Sequence, residues 1–145
     1  MPEKKTIERA RRDKREGKAP STQAGEFVRE EMEHIREGKH GAKNTKQAIA
    51  IGLSKARRSG VKLGAPKRGT AKKRTRKQAQ RDLAKGTKRS SARKPNPKRS
   101  RASTQALKKQ PRRAASKRAL SRQARGAAKR RGAGSSRRAS RSSSD

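Results

Sequence analysis

Lysine and arginine in tight clusters are the residues of this chain best placed to act on a partner. The clusters are Lys72, Lys73 and Arg74, then Arg76 and Lys77, Arg112 and Arg113, Lys129, Arg130 and Arg131, and Arg137 and Arg138. The chemistry they suit is phosphate neutralisation. Each cation brought to a nucleic-acid backbone releases condensed counterions, and that gain needs no contact with a base. Lys46, Lys55, Arg57 and Arg58, further towards the N-terminus, extend the same basic surface.

Other chemistries find little to work with. His34 and His40 are the only histidines, and there is no cysteine. They read as surface histidines near a helix end, and at most as the seed of a poor metal site. Glu26, Glu30, Glu31 and Glu33 read as charge balance for a helix N-terminus rather than as acid/base pairs. The glycines match neither a dinucleotide fingerprint nor a phosphate loop. No serine or threonine sits in the setting of a nucleophile. Arg137-Arg138-Ala139-Ser140 has the form of a basic-directed kinase site, a form that arises by chance in an Arg/Ser-rich stretch. The expectation is a protein that is not an enzyme and carries no cofactor.

Charge is distributed unevenly. Residues 65–145 hold 30 Lys and Arg against two acids, Asp82 and Asp145, whereas residues 1–64 hold 17 bases and nine acids. The whole chain has a formal charge of +36 over 145 residues. Such a balance calls for a polyanion, with nucleic acid ahead of anionic membrane. Only 25% of residues are hydrophobic and the one aromatic is Phe27, so there is no platform for stacking unpaired bases. The same composition argues against one packed domain over the full length. The longest apolar run, Ala48 to Leu53, is far short of the roughly 20 residues of a membrane span. With no signal-peptide pattern, the expected location is the cytoplasm, at the nucleoid.

The elements that must carry these residues fall into three expected regions. Residues 1–20 form a solvated helical segment laced by Glu8, Arg12 and Glu16. Residues 21–64 form a helical hairpin. Its first helix runs from the Ser21/Thr22 hydroxyls, through a face of Ala24, Val28, Met32 and Ile35, to Gly38. Its second opens on Asn44 and Gln47, spaced as a capping box, and stops at Ser59-Gly60 with Val61 folded back on Ala56. Gly52 in this helix allows a close crossing with the first. The hairpin core is small, so self-association, the first helix or the ligand would add stability to it, and the hairpin is the expected surface for a second copy or a protein partner. Residues 65–145 are expected as a long, largely disordered Lys/Arg/Ala/Ser-rich tail, in which Thr70 to Lys85, Ser103 to Gln110 and Pro111 to Arg130 could become helical on a polyanion. The predicted fold class is therefore all-α, a small N-terminal hairpin of two to three helices followed by that tail.

Two resemblances bear on function. The stretch Ser21 to Gly41, ending in Lys39-His40-Gly41, continues through Thr45 to Arg57 with Lys46-Gln47-Ala48-Ile49-Ala50-Ile51 and Ser54-Lys55-Ala56. It resembles a family of small basic bacterial proteins of unknown function, over roughly residues 1–64. The tail is similar in composition to the C-terminal domains of linker histones and of bacterial histone-like proteins. The reading is a histone-like or nucleoid-associated protein that binds DNA without sequence specificity. The alternatives are an RNA- or ribosome-associated basic protein, and a plasmid-maintenance or stress-related interaction module.

Overall fold

The computed structural model describes residues 2–87 and 96–142, with side chains as far as residue 132. Six α-helices follow in order: α1 (Lys4–Arg15), α2 (Pro20–Arg36), α3 (Thr45–Arg58), α4 (Lys73–Thr87), α5 (Pro97–Lys108) and α6 (Lys117–Ser142). A 3-10 turn, Arg112–Ala115, joins α5 to α6.

Helix α2 begins one residue before the expected hydroxyls. Pro20 occupies its first turn, where the fixed φ suits a helix and the missing N–H costs no bond. Ala19 stands at the cap and no side chain caps the end, so Ser21 and Thr22 do not have the capping role expected of them. The C-terminus stops at Gly38, whose φ of 80° is open to glycine at little cost. The Lys39 N–H reaches back to the His34 carbonyl at 3.0 Å, closing a Schellman turn. Helix α3 is capped by Asn44, whose side chain accepts from the Gln47 N–H at 2.8 Å. The return bond of the box is shifted by one residue: the Gln47 side-chain oxygen accepts from the Lys43 N–H. At the other end the Val61 N–H donates to the Ala56 carbonyl at 3.1 Å.

Helices α2 and α3 cross closely at Gly52. A Cβ there would lie 2.7 Å from the Val28 Cα, so only glycine fits. Two small apolar clusters flank the crossing. In one, Ala10 of α1 meets Ala24 and Phe27 of α2, Ala56 of α3 and Val61. In the other, Met32 and Ile35 of α2 and Ala42 and Ala48 meet Ala114 and Ala115 of the 3-10 turn. Leu120 of α6 packs against this second cluster.

That second cluster corrects the expected fold class. Residues 65–145 do not form a long disordered tail; within the described residues they hold α4, α5, the 3-10 turn and α6. Self-repulsion was the reason for expecting disorder, and the structure shows how it is contained. Among its described residues the tail buries only Ala79, Asp82, Ala114 and Ala115 and leaves nearly all its cations in water. Lys, Arg, Ala and Gln are strong helix formers, so helices arise here without a large apolar face. Helix α5 buries no residue at all. Two anchors suffice: Asp82 joins α4 to α3, and two backbone carbonyls join the 3-10 turn to α2 and α3. None of the described helices is long and apolar enough to cross a membrane.

Candidate nucleic-acid interface

Helix α6 supplies an acid-free basic surface. It is 26 residues long and its sequence contains no acid. At 1.5 Å per residue it extends about 39 Å. Ser116 caps it, its hydroxyl oxygen accepting from the Ala119 N–H at 3.1 Å. Arg118, Arg122, Arg125 and Lys129 recur at i, i+4, i+7 and i+11 and therefore share one face. All four are exposed. They form a cationic ridge along the helix.

The base of α6 is fixed to the hairpin by hydrogen bonds to main-chain oxygens. The Thr45 hydroxyl donates to the Ala114 carbonyl at 2.7 Å, and Arg36 Nε donates to the Ala115 carbonyl at 2.9 Å. The Ala42 N–H donates to the Pro111 carbonyl at 3.1 Å and the Gly41 N–H to the Leu107 carbonyl at 2.8 Å. Gly41 lies so close to the Gln110 carbonyl that a Cβ cannot be accommodated. The Lys39-His40-Gly41 turn is thus the seat on which the segment leading to α6 rests.

This docking opens a cleft between α6, the 3-10 turn and the N-terminus of α3. Lys43, Lys46, Arg113, Arg118, Arg122 and Arg130 line it, with Asn44, Thr45, Ser116 and Gln123, and no lining residue is acidic. The ridge and the cleft share Arg118 and Arg122, so they form one continuous surface. Exposed cations flanking a helix N-terminus suit a phosphate group.

The expected phosphate contacts divide sharply. Lys46, Arg113 and Arg130 meet in the cleft, and Lys129 lies on the ridge. Arg131 is exposed beside them, and Arg112 is exposed with its guanidinium close to Gly38. Lys72, Lys73, Arg74 and Lys77 are exposed in and just before α4, a separate basic stretch, while Arg76 donates from Nε to the Pro66 carbonyl at 3.0 Å. The side chains of Arg137 and Arg138 lie outside the described residues. Three residues serve the fold instead. Lys55 is paired with the buried Glu31. Arg57 is buried, its Nε and Nη2 each 3.1 Å from the carbonyls of Leu63 and Gly64, and that burial pulls its guanidinium below the ordinary value. Arg58 Nε lies 2.9 Å from Asp82.

Lys43, Arg118, Arg122 and Arg125 were missed as contacts. The signal that marks three of them is the helical spacing of the arginines in an acid-free stretch, visible once that stretch is read as helix. The histidines and glutamates also stand differently from expectation. His34 and His40 are only 13% and 14% exposed, Glu30 and Glu31 are buried, and the first turn of α2 holds no acid. No protein-family model, no curated protein and no solved structure matches this chain.

Proposed function

We propose that the protein binds duplex DNA without reading its sequence, seating the sugar-phosphate backbone on the α6 ridge and in the adjoining cleft. The observation that carries this reading is the acid-free cationic surface of Arg118, Arg122, Arg125 and Lys129, continued by Lys43, Lys46 and Arg113. A helix of about 39 Å matches roughly one turn of duplex, about 34–36 Å. The α4 cluster provides a second basic stretch, so one molecule has the means to bridge two duplexes. Phe27, the sole aromatic, is 1% exposed, which leaves no ring on which an unpaired base could stack. Cations outnumber the uncharged polar side chains Asn44, Thr45, Ser116 and Gln123 on this surface, so phosphate contacts should dominate.

Mobility shifts on random-sequence duplex DNA, at several sodium chloride concentrations and with duplex RNA as competitor, test the proposal. Log affinity should fall linearly with log salt. Replacing Arg118, Arg122, Arg125 and Lys129 by Gln should lower that slope by about 3–4. An affinity indifferent to salt, or a ridge variant with an unchanged slope, would overturn it. Preferential capture by RNA would move the function to an RNA partner.

A further inference from the structure

We propose that Glu31, His34 and His40 form a binding site for one divalent transition-metal ion of the Zn2+ class, at the junction of α2 and the turn that follows it. One ligand atom from each residue lies within 4.8 Å of the others. The two imidazoles meet edge to face, with ring centres 6.2 Å apart. Two imidazoles and a carboxylate are a donor set suited to Zn2+, Co2+ or Ni2+, with a fourth position left for water.

The argument does not rest on proximity alone. Glu31 is wholly buried, and its Oε2 makes no hydrogen bond. His40 Nε2 lies 3.0 Å from that oxygen. The other ring nitrogen, Nδ1, lies 3.0 Å from the Gly41 carbonyl oxygen, which can only accept. In the tautomer that donates from Nδ1 to that carbonyl, the Nε2 lone pair faces the Glu31 carboxylate oxygen, the orientation a shared cation needs. A metal ion bonded to both atoms at about 2.0 Å leaves them about 3 Å apart, which is the separation seen here.

The outer contacts also have the form that metal-bound histidines favour, in which a carbonyl or carboxylate fixes each ring. Gly41 orients His40. Glu3 Oε1, at 3.0 Å, fixes His34 Nε2, with Glu30 Oε1 nearby at 3.8 Å. Glu30 is also buried and its Oε2 lacks a partner, which adds negative potential beside the site. Lys55 occupies the other oxygen of Glu31, so that carboxylate can offer only one ligand atom. A bound ion would tie the start of α1, the end of α2 and the Lys39-His40-Gly41 turn together. That turn seats the segment leading to the α6 ridge, so the site would stiffen the DNA-binding surface without touching it.

The test uses the untagged full-length chain, stripped of nucleic acid and chelated. Titration with Co2+ should give visible d–d absorption saturating at one ion per chain, with displacement by Zn2+. Zn2+ should raise Tm as binding to the folded state requires. His40→Asn and His34→Asn should each abolish the absorption and the Zn2+-dependent rise while circular dichroism shows the helices retained. Glu31→Gln should do the same if it folds, and the two histidine variants decide the matter if it does not. An imidazolium paired with Glu31 is the competing arrangement. It predicts no Co2+ absorption from the wild-type chain. That result, or absorption that survives in the His34→Asn/His40→Asn double variant, would overturn the proposal.

Discussion

Asp82 accepts hydrogen bonds from Ser54 at 2.6 Å, Arg58 at 2.9 Å and Gln78 at 3.1 Å while only 1% exposed. Burial alone would push its carboxyl up, but the bonds from Ser54 and Arg58, the charge of Arg58 and the bond from Gln78 outweigh it and hold the group below the ordinary aspartate value. The linkage sign follows. A carboxylate with a depressed folded-state pKa lends stability above its unfolded pKa and loses it as pH falls through the folded value. The attachment of α4 to α3 should therefore weaken in acid, below the ordinary aspartate range of about pH 4. Asp82→Asn should remove that acid-dependent step and cost about 2–3 kcal/mol at neutral pH, measured by urea unfolding across pH. An unchanged acid profile would remove Asp82 from this role. The same residue-level accounting separates two kinds of base. Lys46→Gln should reduce the salt slope of DNA binding by about 1 with little change in Tm. Arg58→Gln should do the reverse, lowering Tm while the slope stays put, because Arg58 is engaged with Asp82.

Helices α2 and α3 meet through Gly52, and α6 meets both through a turn that contributes little more than two alanines and its carbonyls. Gly52→Ala forces a Cβ against the Val28 backbone and should cost about 1–3 kcal/mol by overpacking, set against a gain of about 1 kcal/mol from alanine's helix propensity. Ending the chain at residue 96 should destabilise what is left by about 2–4 kcal/mol, since Ala114 and Ala115 leave the cluster with Met32 and Ile35 and four hydrogen bonds are lost. Thermal melts of the truncated and full chains check this; equal values would mean that the hairpin stands alone. These contacts also explain what could be read without coordinates. The period of Ala24, Val28, Met32 and Ile35, the stops at Gly38 and Gly60 and the Asn44 cap are local signals, and each lies within a few residues of what it controls. The glycine crossing at residue 52 was legible as well, because a small residue inside a helix points to close approach. The anchoring of α4 by Asp82 and of α6 through Ala114 and Ala115 was not legible. Those contacts span up to 79 residues and rest on single side chains or main-chain oxygens in a composition that otherwise signals disorder. For the same reason the α6 arginines read as clusters by adjacency, when their spacing on a helix is what makes a ridge.

The chain carries a formal charge of +36, and its described residues form six helices with little apolar burial. Its own field therefore opposes its fold, while the same field attracts polyanions. Sodium chloride screens both effects over a Debye length of about 10 Å at 0.1 M. Screening relieves repulsion among the exposed bases of α1, α4 and α6, which should raise Tm. It also weakens the ion pairs, but those at Asp82 and Glu31 involve buried carboxylates and are screened less. Repulsion is spread over many exposed cations, so its relief should dominate. Adding salt from 50 to 300 mM should thus raise Tm of the free protein while lowering its DNA affinity, two opposite responses to one variable. Circular dichroism of the free chain checks the premise: helical signal from residues 97–132 should be present before any DNA is added, and a chain lacking them should lose it. A Tm that falls with salt would show that internal ion pairs, not self-repulsion, govern stability. Helix that appears only on adding DNA would mean that the polyanion, and not Ala114, Ala115 and their carbonyls, assembles the α6 ridge.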